Sequence, residues 1–167
     1  MFRKYVSLSL KYAILTISAY LCGFYFTVNF HHATAQIGGL WAVISGILVM
    51  EITPPDTLRS LKFRIVGSFI GAVISGCYLV FLPFSVIGLA VCIAAGVLTC
   101  HLLRLPDHVK LAGVTISVVM IVSTLGHGLN PIVNAGLRFV ESTIGGFVAL
   151  LTAYSAAILL PAKKPCV

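Results

Sequence analysis

Two arginines within apolar stretches are the residues of this sequence best suited to chemistry. Arg64 begins the stretch Arg-Ile-Val-Gly-Ser and Arg138 begins Arg-Phe-Val-Glu-Ser, so that Glu141 follows Arg138 by three positions. An Arg–Glu pair at this spacing shares one helix face and can neutralise itself there. Charged side chains inside a membrane usually mark an ion or substrate path. Arg138 is therefore either a functional residue or half of a structural ion pair, whereas Arg64 taken alone is expected to extend toward lipid headgroups.

Each arginine is expected at the start of a helix, where free N–H groups and the helix dipole attract anions. Ser68 and Ser142, one turn further on, would add hydroxyl groups. Glu51 is expected to pair with Arg64 or Lys62 across a loop. The pattern predicts an anionic substrate, such as a carboxylate. The predicted substrate-binding residues are Arg64, Arg138, Ser68, Ser142, Glu141 and Glu51.

The composition indicates that membrane helices must position these residues. Hydrophobic residues make up 59% of the 167 positions and charged residues only 9%, whereas a soluble domain carries about a quarter charged residues. A water-soluble enzyme is therefore excluded. A membrane-spanning helix needs roughly 20 apolar residues. Six runs meet or approach that length: Tyr12–Phe30, Ala33–Met50, Ile65–Phe81, Phe84–Leu103, Lys110–Leu125 and Phe139–Leu160.

The distribution of basic residues predicts how these helices are oriented. Lys and Arg precede the first run and follow the second, fourth and sixth, and the other connections hold only Arg138. Ten of the 11 basic residues thus fall on one side, which the positive-inside rule assigns to the cytoplasm. The sequence predicts an all-α integral membrane protein with six transmembrane helices and both termini in the cytoplasm. The first run is too long for the apolar core of a cleavable signal peptide.

The two arginine stretches suggest an internal repeat. Residues 64–71 and 138–145 share five identities in eight positions at an offset of 74. The same offset aligns the first run with the fourth and the second with the fifth. Because three crossings reverse direction, two copies within the single transmembrane domain 1–167 would be inverted, about residues 5–81 and 84–161, as in many transporters. Chance resemblance between apolar helices is the alternative interpretation.

Small residues recur every four positions in the third and sixth runs. Such stripes let helix backbones approach closely in lipid. The two helices are expected to pack together or against a second subunit. The predicted packing residues are Gly67, Gly71, Gly145 and Ala149.

A longer stretch resembles a known family. Trp-Ala-Val-Ile-Ser-Gly-Ile-Leu-Val-Met-Glu from Trp41, followed by Thr-Leu-Arg-Ser-Leu-Lys-Phe-Arg-Ile-Val-Gly-Ser-Phe-Ile-Gly from Thr57, resembles the fusaric acid resistance and aromatic acid exporter superfamily. A second arginine near the sixth helix start, here Arg138, also fits, and plant aluminium-activated malate channels show a similar stretch. The resemblance implies a six-helix domain that moves organic anions outward, often as a dimer, with Arg64 and Arg138 lining the path.

The sequence therefore predicts a transporter or channel that exports organic, including aromatic, carboxylate anions across the plasma membrane, the inner membrane of a bacterium. Its expected partners are the lipid bilayer, a small organic anion and further copies of the chain, with a dimer favoured and no nucleic acid. The alternative is a non-transporting membrane subunit that supports a larger complex. Metal-ligand spacings, nucleophile motifs and phosphate-binding loops are absent from the sequence, so no metal, cofactor or enzymatic activity is predicted.

Overall fold

Six long α-helices form the computed structural model, which describes residues 2–125 and 128–159. The helices are α1 (Phe2–Val28), α2 (Ala35–Val49), α3 (Pro54–Phe81), α4 (Val86–Leu102), α5 (Val109–Ser123) and α6 (Pro131–Leu159). Short 3-10 helices, His32–Thr34 and Pro106–His108, lead into α2 and α5. The described residues contain no β-strand. The predicted end of the sixth run at Leu160, and the basic pair after it, lie outside the described residues.

Five of these helical segments are long and apolar enough to cross a membrane, when the 3-10 helices are counted with α2 and α5. The exception is α4, whose 17 residues rise about 26 Å at 1.5 Å per residue, slightly less than the ~30 Å hydrocarbon core. The predicted all-helical class with several membrane spans is thus confirmed, with five qualifying spans where six were predicted. Apolar side chains such as Ile17, Ile87 and Leu151 are exposed on the outside, which suits a surface that faces lipid.

Capping residues start α3 and α6 well before the two arginines. The Thr53 hydroxyl accepts the N–H of Asp56 at 3.3 Å, and Pro54 takes the first helical position, where its missing N–H is no loss. At the start of α6, the Asn130 side-chain oxygen accepts the N–H of Ile132 at 2.9 Å. Both helices are therefore nucleated by a cap in the preceding loop.

The early starts overturn one expectation about the arginines. Arg64 lies ten residues inside α3 and Arg138 lies seven residues inside α6, so neither sits at a helix N-terminus. The free N–H groups and dipole ends of α3 and α6 are consequently too far away to bind an anion beside the guanidinium groups. The sequence suggested otherwise because Arg59 and Lys62 resembled loop residues, although charged residues are good helix formers.

The helices pack in a connected arrangement around α3 and α6. Helix α3 packs on α2, α4, α5 and α6, and α6 packs on α1, α2, α3 and α5. In addition, α1 packs on α2, and α4 packs on α5. A core cluster joins Leu15 and Ala19 of α1 with Val43 of α2, Leu61 of α3 and Ala149 of α6. Helices α2 and α5 are separated by a groove.

Glycines bring α3 and α6 close to other helices. Gly71 lies against the backbone of Ala112 on α5, and Gly145 lies against the backbone of Ala42 on α2, so that a Cβ at either glycine would collide. Gly67 also faces α5. Helices α3 and α6 do pack together, but Gly67 and Gly71 face α5 and Gly145 faces α2, so these glycines do not face each other.

Candidate functional site

Both predicted arginines are enclosed by protein. The side chains of Arg64 and Arg138 expose no surface, and Glu141 is equally buried. At 1.5 Å per residue, Arg64 lies about 15 Å and Arg138 about 11 Å along its helix from the helix start. The expectation that Arg64 extends to the lipid headgroups is wrong, because its guanidinium is held in the interior.

The partners of Arg64 come from α2. Its Nη2 donates a hydrogen bond to Ser45 Oγ at 2.9 Å, and its Cζ lies 4.9 Å from the centre of the Trp41 ring. A guanidinium over an indole face is a favourable cation–π contact. Ser45 and Trp41 are four residues apart, so both project from one face of α2. Arg64 is thus positioned by one neutral hydroxyl and one aromatic ring.

No counter-charge accompanies Arg64 among the described residues. Its Nε and Nη1 have no hydrogen-bond partner. Glu51, which was expected to pair with it, is instead exposed and lines a surface pocket with Asp56 and Arg59. Burying an ion costs several kcal/mol unless a partner compensates it. A buried guanidinium that has no counter-charge can bind an anion through the N–H groups that remain without a hydrogen-bond partner.

Arg138, in contrast, has a counter-charge on its own helix. Its Nη1 lies 3.0 Å from Glu141 Oε2, although the N–H is not aimed at that oxygen, so the charges attract without a hydrogen bond. Glu141 Oε1 accepts a hydrogen bond from Thr27 Oγ1 at 2.6 Å. Thr27 Oγ1 is also 2.9 Å from the Gly23 carbonyl oxygen. A hydroxyl has one proton to donate, and the carboxylate is the stronger acceptor.

Gly38 on α2 makes room for the Glu141 carboxylate. A Cβ at position 38 would lie 2.6 Å from Glu141 Oε1 and would also collide with the Thr27 hydroxyl. Any side chain there would therefore displace one partner of this hydrogen bond. The sequence did not indicate Gly38 or Thr27, because a glycine or threonine in an apolar helix is ordinarily explained by packing.

Trp41 connects the two arginine regions. While its ring faces Arg64, its Nε1 donates a hydrogen bond to the main-chain oxygen of Arg138 at 2.8 Å. Trp41 is the single tryptophan of the chain and is only 2% exposed. One side chain thus contacts both arginine-bearing helices. We name the group formed by Thr27, Trp41, Ser45, Arg64, Arg138 and Glu141 the buried polar cluster.

The two predicted serines are buried but have other partners. Ser68 accepts a hydrogen bond from Thr115 at 3.3 Å, and Ser142 donates to the main-chain oxygen of Phe139 at 2.9 Å. The hydroxyl beside Arg64 belongs to Ser45, which the repeat did not indicate. The sequence signal for it is a polar residue in the middle of an apolar run.

An apolar groove runs beside the buried polar cluster, between α2 and α5. It has a volume of about 260 Å³, and Trp41 forms part of its wall. Other lining residues are Ile37, Leu40 and Ile44 of α2 with Val118 and Ile121 of α5. A second apolar groove, of about 330 Å³, lies between α3 and α6. Among the residues that the structure describes, no three His, Cys, Asp or Glu side chains are grouped as a metal site.

Comparison with known proteins identifies a family. A family model described as fusaric acid resistance protein-like matches residues 19–152. The matched region contains all of α2 to α5, parts of α1 and α6, and every residue of the buried polar cluster. No curated protein and no solved structure gives a significant match to the chain.

Proposed function

The chain belongs to the fusaric acid resistance protein-like family, and from that premise we propose that it carries organic carboxylate anions across a membrane. The family and the apolar helices indicate a multi-pass membrane protein of the transport or resistance type. One observation carries the proposal further, to anions. The fully buried guanidinium of Arg64 has unpartnered Nε and Nη1 atoms, and among the described residues it has no carboxylate beside it.

The charge of the buried polar cluster favours a monovalent anion. The cluster holds two guanidinium groups and one carboxylate, which leaves one positive charge when Glu141 is ionised. In a low-dielectric interior this charge attracts an anion much more strongly than it would in water. Charge-assisted hydrogen bonds from a guanidinium to a carboxylate are among the strongest in proteins. A monocarboxylate bound at Arg64 would balance the cluster.

The two arginines have unequal roles in this proposal. Arg64 is the primary anion site, because its charge is uncompensated. Glu141 already offsets the charge of Arg138, so Arg138 contributes mainly by holding α6 in place beside the site. The transport of aromatic acids in particular, a dimeric assembly and a relation to plant aluminium-activated malate channels remain predictions from the sequence.

The helix packing supports an inverted repeat. If α1, α2 and α3 correspond to α4, α5 and α6, each pair of helices that packs together corresponds to a pair that also packs together; for example, α1 packs on α2 and α4 packs on α5. Gly71 and Gly145, which are 74 positions apart, approach α5 and α2, which are themselves exchanged by the repeat. In transporters built this way, the substrate site lies near the membrane midplane between the repeats. Arg64 and Arg138 lie at corresponding positions of the two repeats.

We also propose that both termini face the cytoplasm of a bacterial cell whose inner membrane holds the protein. The support is the charge distribution, since nine of the 11 Lys and Arg residues fall on one predicted side once the buried Arg64 is left out. That count includes Lys163 and Lys164, which lie outside the described residues. Reaction of single introduced cysteines with a membrane-impermeant thiol reagent, in a variant without the native cysteines, tests the orientation.

Flux measurements in proteoliposomes test the role of Arg64. We expect R64Q to lower the flux of benzoate and other monocarboxylates about 100-fold, because losing one partner of a buried charged contact costs about 2–5 kcal/mol. R59Q is the matched control, since Arg59 lies on the same helix and is exposed. It should transport at the wild-type rate. Equal flux through the two variants, when both are inserted, would contradict the anion site. Absence of flux in the wild type would favour the non-transporting subunit instead.

A further inference from the structure

The groove between α2 and α5 has a composition that differs from the buried polar cluster behind it. Its lining residues, among them Ile37, Ile44 and Val118, are apolar. Helices α2 and α5 do not pack on each other in the described structure, although each packs on α3 or α6. The groove therefore opens at the surface between α2 and α5, where the lining residues Leu40 and Ile121 are about half exposed.

A buried cation adjoins this apolar surface. Trp41 lines the groove, and the Arg64 guanidinium lies 4.9 Å from the centre of the same ring. The larger groove between α3 and α6 has no such neighbour, because its lining residues include neither Trp41 nor Ser45, the contacts of Arg64. Of these two grooves, the one between α2 and α5 lies next to a positive charge without a counter-charge, and the Trp41 ring stands between the groove and that charge.

The two surfaces together select an occupant. An apolar wall binds an apolar body of matching shape through close packing, and the guanidinium beyond Trp41 complements a negative end. The volume of about 260 Å³ is just below the ~300–1,000 Å³ of pockets for drug-sized ligands. A body of one ring or a short branched chain fits this size. Small inorganic anions would leave the apolar wall uncovered.

We propose that this groove binds the apolar body of a small amphipathic carboxylate, and that the Trp41 ring lies between this body and the Arg64 guanidinium. The proposal rests on the proposed function, because it assigns the path by which the anion reaches Arg64. The hydrogen bond from Trp41 Nε1 to the Arg138 carbonyl oxygen, 2.8 Å long, holds the indole ring in this position. The carboxylate reaches Arg64 when the indole ring turns away from this bond.

Trp41 also provides the measurement, because it is the single tryptophan of the chain. Its fluorescence is followed in proteoliposomes that contain no other protein, while cyclohexanecarboxylate, cyclohexylmethanol or acetate is added. We expect a saturable change with cyclohexanecarboxylate, and binding at least about 10-fold weaker for the other two, since each lacks one of the two contacts. No response to cyclohexanecarboxylate, or an equal response to cyclohexylmethanol, would overturn the proposal.

A pair of matched variants locates the binding site. I44F adds volume inside the groove, whereas I47F makes the same change three residues further along α2, at an exposed position that does not line the groove. We expect I44F to weaken cyclohexanecarboxylate binding at least about 10-fold, because an overfilled site no longer accepts the body, and I47F to bind like the wild type. Equal binding by the two variants would place the ligand elsewhere.

Flux through the same variants separates this proposal from the proposed function. If the wild type, I44F and I47F all transport the carboxylate equally, the groove is not its path, while transport itself stands. If cyclohexanecarboxylate binds the wild type in the groove but no monocarboxylate is transported, the proposed function fails and the binding site stands. Selective loss of both binding and flux in I44F supports the two together.

Discussion

Arg64 of α3 and Arg138 of α6 stand 74 positions apart in stretches that share five of eight residues, and both side chains are fully buried. They differ at the position one turn later, where Gly67 follows Arg64 and Glu141 follows Arg138. A Cβ at position 67 would lie 2.7 Å from the Leu111 side chain and 3.1 Å from a backbone oxygen of the 3-10 helix before α5. The close packing of α3 on α5 therefore excludes a carboxylate from the place that Glu141 takes in α6.

The residues around the two arginines also differ in charge. The neighbouring helix α1 provides Thr27, which donates to Glu141 Oε1, whereas α2 offers Arg64 only the neutral Ser45 and Trp41. Glu141 thus balances the charge of Arg138, whereas no carboxylate among the described residues balances the charge of Arg64, which is the basis of the proposed anion site. If the proposed site at Arg64 is correct, the same short motif stabilises the structure at Arg138 and binds a ligand at Arg64.

The largest expected effect comes from removing the arginine that has a counter-charge. R138Q leaves Glu141 buried without its cation, and we expect the free energy of unfolding to fall by about 3–5 kcal/mol. R64Q removes a buried charge that has no counter-charge, and the relief from burying that charge offsets the lost contacts with Ser45 and Trp41, so its free energy of unfolding should equal or exceed that of the wild type. Unfolding by SDS in mixed micelles, followed by circular dichroism, measures both variants.

The double variant R138Q/E141Q is the control for this comparison. Because it removes both charges, it should recover most of the stability that R138Q loses. If R138Q and R64Q prove equally stable, the ion pair does not distinguish the two regions and the comparison loses its basis.

The hydrogen bond to Glu141 gives the next effect. T27V keeps the shape of the side chain but removes the hydroxyl that donates to Glu141 Oε1 at 2.6 Å. We expect a loss of about 1–2 kcal/mol in the free energy of unfolding, because the acceptor is charged and buried. T143V is the control, since the Thr143 hydroxyl bonds only the Phe139 carbonyl oxygen of its own helix. A loss in T143V as large as that in T27V would show that Thr27 has no special role.

The sequence predicts the parts of this site that depend on local spacing. Arg138 and Glu141 lie three positions apart, which is sufficient to predict an ion pair on one helix face. The apolar runs likewise predict the helices, because lipid leaves few other backbone structures. Helix starts were less predictable. Thr53 and Pro54 cap and begin α3, but the charged residues that follow them resemble a loop between two apolar runs.

Partners from distant parts of the chain could not be predicted. Thr27 bonds a residue 114 positions away, and Trp41 bonds one 97 positions away. These contacts depend on which faces of α1, α2 and α6 meet, and periodicity alone does not determine the rotation of one apolar helix against another. The absence of a counter-charge at Arg64 is also a property of the packed structure, because Glu51 is near Arg64 in the sequence but lies before the start of α3 at Pro54 and is exposed.

A third variant gives Arg64 the counter-charge that it lacks. In S45D a carboxylate replaces the hydroxyl that accepts from Arg64 Nη2 at 2.9 Å, so the region becomes similar to that of Arg138. We expect monocarboxylate flux to fall about tenfold, because the introduced carboxylate competes with the substrate for the guanidinium. S45N, which has nearly the same shape without the charge, should retain most of the flux. Similar flux in S45D and S45N would argue against a carboxylate site at Arg64.

The smallest expected effect concerns Trp41, which touches both regions at once. W41F removes the N–H that donates to the Arg138 carbonyl oxygen but keeps a ring over Arg64, so the free energy of unfolding should fall by only about 0.6 kcal/mol, a typical value for a hydrogen bond between membrane helices. W41L also removes the ring, and the lost cation–π contact should add about 0.5–2 kcal/mol. Unfolding of both variants followed by circular dichroism separates these contributions. Equal losses would mean that Trp41 stabilises the Arg138 region alone, and that its ring contributes nothing to holding the Arg64 guanidinium.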